Sequence, residues 1–434
     1  MFKVFLFLLL LSQCLFAEKK PNVIIIYTDD QGTLDMKCYG ATDLVTPYMD
    51  KMASEGIRWT QFYSAAPVCS PSRAALLTGL TPQKAGVPGN VGLTAVGMPS
   101  DRVTIAEQLK TAGYKTAKIG KWHLGHHEET VPNGQGFDYQ FGHLVGCIDN
   151  YSHFFYWSGP NKHDLFRNNK EIHLPGRFFP DLMVEEASKF IKENKKDPFF
   201  IYFAMNSPHY PYQGDAKWLE FYKDLPMDRR YYAAFLSTQD ERIGKLLKVL
   251  ETEGLKEDTI VIFQSDHGHS TEQRAFYGGG YTGKFRGAKF SLLEGGIRVP
   301  AIISWPGKIN PGVRDQFAVS CDWFPTIMDL CGVKLPKHQL EGKSLVPIIN
   351  SASEKTQHEF FTWQMAKQKV VREGDWKLCI DVVDTTGKKR VTEKGARLYN
   401  IAKDPSEKKD LAKENKDVVE RLKKRHADWL KSVK

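Results

Sequence analysis

An acidic pair and an acid–histidine pair are the first residues in this chain whose type and spacing suggest chemistry. Asp29-Asp30 follows the apolar run NVIIIYT, and Asp266-His267 follows DTIVIFQS. Neighbouring carboxylates repel unless something positive compensates them. Asp29, Asp30 and Asp266 are hard oxygen donors of the kind that Ca²⁺ or Mg²⁺ takes, while the nitrogen of His267 is less typical for Ca²⁺. A single Asp more often caps a loop or helix, but two acidic clusters at the ends of separate strands favour a bound cation. Lys121 and His123 lie two residues apart, so in extended chain they face the same side. An ammonium beside an imidazole suits an anionic, proton-exchanging substrate. Alone, the pair reads equally well as a surface cation beside a packed ring. His209 follows the apolar run PFFIYFAMNS in the same way.

Residues 67–79, PVCSPSRAALLTG, place Cys69 just ahead of a helical pattern. Ser70 can cap that helix, Pro71 suits its first turn, and Gly79 can end it. Backbone donors at a helix start favour an anion and lower the pKa of a thiol. Arg73, one turn in, can fork onto a tetrahedral oxyanion. Cys69 is therefore a candidate nucleophile, with a small buried thiol in a turn as the plain alternative.

The elements that must hold these groups can be read from periodicity. NVIIIYT, YKTAKIG, PFFIYFAMNS, DTIVIFQS and VPAIISW are β-rich and apolar on both faces. They alternate with amphipathic stretches such as DRVTIAEQLKTAG, FPDLMVEEASKFIKENKK and YYAAFLSTQDERIGKLLKVLETEG. That alternation predicts an α/β fold around a mostly parallel sheet flanked by helices. In such sheets ligands bind beyond the carboxyl ends of the strands, which is where the charged groups fall. After about Gly342 the pattern changes to antiparallel strands (WKLCIDVV, ARLYNI) and a terminal amphipathic helix carrying Val418, Leu422 and Trp429 on one side. The expected division is a catalytic domain over 18–341 and a small α+β domain over 342–434. Between about Tyr139 and Phe179 the chain is rich in His, Tyr, Phe, Asn and Gly without clear period. This stretch is expected to form binding loops, with Asp149, Asn150, Tyr151, His153 and Arg167 as candidate substrate contacts.

The first 17 residues, MFKVFLFLLLLSQCLFA, combine an early Lys3, an apolar run and a small residue at Ala17. They read as a cleaved export signal, placing the protein in the periplasm or outside the cell, with no stable membrane insertion afterwards. The formal charge of +9 admits nucleic acid, anionic surfaces or anionic substrates. Much of the excess lies in the Lys-rich C-terminal quarter, and nothing else points to nucleic acid. Cys321 and Cys331 flank a helical stretch that would hold them roughly 15 Å apart, too far for a disulfide.

CSPSRAALLTG resembles the signature of the type I, formylglycine-dependent sulfatases: Cys, small, Pro, small, Arg, then an apolar pair closing in Thr-Gly. GYKTAKIGKWH, residues 113–123, is similar to the second signature of that family. The likeness runs through PNVIIIYTDDQG and FRGAKFSLLEGGIRVP and spans the chain beyond the leader, with arylsulfatases and N-acetylgalactosamine sulfatases as the nearest types.

The resemblance implies an alkaline-phosphatase-like α/β fold. It also implies that a formylglycine-generating or sulfatase-maturating enzyme oxidises Cys69 to formylglycine. Carried over, the modified Cys69, Asp29, Asp30, Asp266 and His267 would hold Ca²⁺ or Mg²⁺. Arg73 would steady the formylglycine, and Lys121, His123, His209 and Lys289 would surround the sulfate. The implied mechanism hydrates the aldehyde to a gem-diol, attacks sulfur in line, protonates the leaving alcohol from His209, and releases sulfate by elimination with His123 as base. Export, basic charge and the aromatic loop favour a sulfated carbohydrate, such as a glycosaminoglycan, over a small aryl sulfate. A phosphate or phosphonate ester hydrolase of the same fold, and an inactive binder of sulfated glycans, are the competing readings.

Overall fold

The computed structural model describes residues 19–433 apart from 160 and 339, so the leader expected over 1–17 lies outside the described residues. A ten-stranded sheet forms the centre. From one edge to the other its strands are Gly312–Arg314, Ile57–Trp59, Ala301–Ser304, Thr259–Ser265, Asn22–Thr28, Phe199–Ala204, Lys115–Lys121, Tyr139–His143, Phe166–Arg167 and Lys170–Glu171. The five in the middle, from Thr259–Ser265 to Tyr139–His143, run parallel. The strand Ala301–Ser304, also expected from sequence, runs antiparallel to its neighbours.

The strand Asn22–Thr28 shows why the central runs are apolar throughout. Ile24 and Ile26 belong to a core formed with the helices Pro47–Ser54, Phe179–Asn194 and Met227–Thr252. Val23, Ile25 and Tyr27 point the other way, into a second core with Cys69–Thr78, Ile105–Lys110 and Trp323–Leu330. Successive side chains alternate between faces, so a strand covered on both sides needs apolar residues at every position. Each fully buried Ile stabilises by roughly 1.5–3 kcal/mol. Among the described residues no helix is long and apolar enough to cross a membrane. Cys321 and Cys331 bracket the helix Trp323–Leu330, and both are free.

Towards the C-terminus, Phe360–Met365, Gln368–Glu373, Trp376–Asp384 and Val391–Asn400 form an antiparallel four-stranded meander. The helix Lys416–Ser432 buries Val418, Leu422 and Trp429, with Val418 and Leu422 packed on Val371, Leu378 and Leu398 of that sheet. This unit is fastened to the large sheet by buried charge. Lys377 Nζ lies 2.8 Å from both Glu294 Oε1 and Glu407 Oε1, with all three side chains almost fully buried. Glu294 also accepts from Tyr63 Oη at 2.6 Å.

Removing one partner of such a cluster leaves uncompensated buried charge. Lys377→Met is therefore expected to destabilise the fold by roughly 3–5 kcal/mol, read as a drop in the urea midpoint. A loss below about 1 kcal/mol, the worth of an exposed pair, would show that this contact does not anchor the unit.

Candidate active site

The parallel strands deliver their polar residues to one edge of the sheet. Asn22–Thr28 ends in Asp29 and Asp30, Thr259–Ser265 in Asp266 and His267, and Lys115–Lys121 in Lys121 itself. His209 follows Phe199–Ala204 in a turn. All of these side chains are buried. The helix Cys69–Thr78 starts at Cys69, two residues earlier than a cap at Ser70 would place it. Ser70 does not cap it: its Oγ accepts from Val91 N at 3.0 Å, and its own N–H donates to Asn90 Oδ1 at 3.1 Å. Gly79, at φ 67°, ends the helix in the left-handed region that glycine tolerates best.

At the centre lie three carboxylates and three cations. Asp29 Oδ2 accepts from Lys121 Nζ at 2.5 Å, Asp30 Oδ2 from Lys289 Nζ at 3.0 Å, and Asp266 Oδ2 from Arg73 Nη2 at 2.9 Å. Burial works against the charge on Asp29, but Lys121 and its neighbours hold it well below the usual carboxylate range. Burial wins at the other two, pushing Asp30 up to about 8 and Asp266 to about 7. Burial and Asp29 raise the Cys69 thiol, yet Lys121, Lys289 and His267 pull it down to about 6. Arg73 is locked further by Tyr202 Oη at 3.3 Å and lies over the Tyr27 ring.

Asp29, Cys69, Asp266 and His267 each offer a ligand atom, all within 4.8 Å of one another. His267 donates from Nδ1 to Gly268 O at 2.9 Å, leaving Nε2 facing Cys69 Sγ at 3.4 Å. A backbone carbonyl on the far nitrogen is how a ligating histidine is usually oriented. Asp30 is not in that four-membered group. Its Oδ1 nevertheless lies 3.5 Å from His267 Nδ1 and makes no hydrogen bond, although Lys289 Nζ is 2.8 Å away. Buried carboxylates that resist ionisation, with an imidazole nitrogen and the side chain of residue 69 turned to the same point, are a donor set that fits a divalent cation.

His123 and His209 line the cavity above, with Cys69, Lys289, Asn90, Leu93, His126 and Trp157, enclosing about 250 Å³. The strand stops at Lys121, and His123 takes a positive φ of 60°, so the pair is not simply extended as the spacing implied. Lys121 points down to Asp29 while the His123 ring borders the cavity, its Nδ1 buried and without a partner. His209 Nε2 is 3.6 Å from Asp30 Oδ2. Burial holds both imidazoles well below their ordinary range, so both are neutral at pH 7.

The expected substrate loop enters the cavity through different residues. Asp149 accepts from Tyr151 N and Ser152 N, and from Gln213 Nε2 at 2.7 Å. Asn150 is buried against Gln213 and Asn206, His153 donates to Arg177 O, and Tyr151 packs at a tilt against Phe178. Arg167 pairs with Glu186 over the Phe141 ring. None of these five lines the cavity; Phe155 and Trp157 of the same stretch do. An aromatic and His-rich composition marks the stretch, but local turn bonding decides which of its members face the site. Asn90, Leu93, Glu272 and Phe290 carried no sequence signal. His126, three residues past His123, was the one cue left unread.

Family models match this chain over nearly its whole length. One described as sulfatase covers residues 21–333, and one described as the C-terminal region of N-sulphoglucosamine sulphohydrolase covers 287–432. The chain is 32% identical to human arylsulfatase A over 447 residues, covering 93% of this chain and 86% of the relative. It is 29% identical over 498 residues to the N-acetylgalactosamine-6-O-sulfatase of Bacteroides thetaiotaomicron, covering 96% and 94%. The crystal structure of Ps i-CgsB in complex with k-i-k-neocarrahexaose superposes with a TM-score of 0.85 at 29% identity, covering 95% of this chain and 93% of that one. The chain belongs to the sulfatase family and is a sulfuric ester hydrolase.

One glycine gives a sharp test of the cavity wall. A Cβ at Gly146 would sit 2.7 Å from His123 Cε1. Gly146→Ala is expected to displace that ring and lower kcat/KM by about 10²-fold, the cost of a small misplacement of a reacting group. Its thermal unfolding should match the parent. An unchanged kcat/KM would remove His123 from the reaction.

Proposed function

We propose that this enzyme removes sulfate from a sulfated carbohydrate, using formylglycine made from Cys69 and a divalent cation, Ca²⁺ or Mg²⁺, held by Asp29, Asp30, Asp266, His267 and residue 69. The observation that carries the reading is the charge balance of the buried cluster. Three carboxylates face Arg73, Lys121 and Lys289. With all three carboxylates ionised that set is neutral, so an added divalent cation, which would hold Asp30 and Asp266 in the ionised form, leaves it positive and able to attract an anionic ester. The cation supplies Lewis-acid stabilisation, and formylglycine, as its hydrate, supplies the nucleophilic oxygen.

The chain's own residues do the rest. Arg73 fixes the first turn of the helix that carries residue 69. Lys121 and Lys289 place fixed positive charge beside the sulfuryl oxygens, where preorganised charge counts most. His209, at the cavity wall, can pass a proton to the leaving alcohol only as the imidazolium, a form that an anionic ester beside it favours, and neutral His123 is placed to take one from the nucleophile during sulfate release. Cys69, Ser70, Pro71, Ser72 and Arg73 are all buried. A maturation enzyme that reads this segment must therefore act before folding closes over it. The apolar leader read over residues 1–17 supports export to the periplasm or the exterior. The relatives named for N-acetylgalactosamine sulfate and crystallised with a carrageenan fragment support a sulfated glycan.

Released sulfate from a panel of defined sulfated saccharides, set against the matched phosphate esters, tests this. Sulfate esters should be preferred, and Cys69→Ala should lower turnover by about 10³-fold or more. Peptide mass analysis of natively matured enzyme should show residue 69 about 18 Da lighter than cysteine. Preference for phosphate, or full turnover by Cys69→Ala, would refute the reading.

A further inference from the structure

A second cavity of about 570 Å³ adjoins the catalytic one and shares four walls with it: Leu93, His126, Val145 and Phe155. Alone, the catalytic cavity is smaller than the roughly 300–1,000 Å³ of most small-molecule sites. Joined, the two fall within that range. The short hairpin of Phe154–Phe155 and Lys162–His163 separates them, with Phe155 paired across the strands with Lys162. Its turn turns Trp157 to the catalytic cavity, and its return strand turns Lys162 to the second.

The second cavity mixes apolar faces with hydrogen-bonding groups, as sugar-binding surfaces do: Phe155 and Phe166 against Lys162, His127, Glu128 and Asn169. Lys162 lines this cavity together with Asp164, whose charged form its ammonium favours. Leu93 and Trp157, 43% and 41% exposed, both line the catalytic cavity and offer it apolar surface. The wall carries acids as well as a base, since Asp164 lies there with its carboxylate bound by Leu144 N and Val145 N. A second strongly anionic group is therefore not what it selects.

We propose that this cavity is a subsite for the sugar next to the sulfated one, so that the enzyme acts on sulfate carried within an oligosaccharide chain. Lys162 and Phe166 act as positioning and specificity residues, one through hydrogen bonds to hydroxyls and the other through its ring face. The inference rests on the sulfated-carbohydrate reading above.

The experiment measures kcat and KM for a mono-, di-, tetra- and hexasaccharide series, taken from whichever of chondroitin, heparan and carrageenan sulfates is desulfated best, beside 4-nitrophenyl sulfate. kcat/KM should rise by about tenfold or more on passing from mono- to tetrasaccharide, since remote contacts contribute to the transition state. Lys162→Ala and Phe166→Ala should each remove much of that gain, mainly through KM, while moving 4-nitrophenyl sulfate turnover by less than about twofold. A flat length series, or variants that slow the small ester equally, would overturn the subsite while leaving the sulfatase reading intact. Failure to hydrolyse any sulfated saccharide while 4-nitrophenyl sulfate is turned over would overturn the carbohydrate reading, and the subsite with it.

Discussion

Three carboxylates, Asp29, Asp30 and Asp266, meet in a space closed to solvent, and the rest of the structure exists in part to make that tolerable. Each buried ion costs several kcal/mol unless it is paired with good geometry. The pairing cations come from three separate places: a strand end for Lys121, a helix for Arg73 and a loop for Lys289. The parallel register that sets Asn22–Thr28 between Phe199–Ala204 and Thr259–Ser265 brings the acids together. The packing of the helix Cys69–Thr78 on the second core brings Arg73 and residue 69 to them. Charge balance and fold are thus one constraint, not two.

The loop bearing Lys289 shows how far this constraint reaches. Lys289 N donates to His269 O, and Phe290 N donates to Pro67 O, both at 2.9 Å. The C-terminal sheet completes the hold. Ala288 N donates to Thr385 Oγ1 at 2.9 Å, and Gln368 takes Leu292 N at 3.2 Å while giving a hydrogen bond to Phe290 O at 2.9 Å. The small unit therefore fixes a charged group of the site as well as covering one side of the large sheet. The Lys377 cluster ties the same two units together a few residues further along the chain.

Much of this was legible in the chain itself. The apolar runs named the central parallel strands because burial on both faces leaves no other composition. The residues just past those runs are the ones the fold gathers into the buried acidic cluster, because strand ends are where an α/β sheet presents its polar groups. Two things were not legible. Whether Lys121 and His123 stay on one extended line depends on the backbone turn at His123, which no periodicity records. Which members of the loop from Tyr139 to Phe179 face the cavity depends on turn hydrogen bonds around Asp149 and on the Arg167–Glu186 pair. Composition pointed to a stretch that borders the cavity and, within it, to five residues that do not line it. The walls of the cavity at Asn90, Leu93 and Gly146 come from segments with no pattern to read.

A cation site and a plain network of ion pairs would use the same buried acids, and they differ in whether a divalent cation is held. Metal analysis of the purified, dialysed enzyme separates them most directly. One divalent cation per chain is predicted, lost together with sulfatase turnover in Asp29→Asn and Asp266→Asn variants that still fold. An enzyme that carries no divalent cation, withstands chelation and hydrolyses sulfate esters at full rate would contradict the cation site.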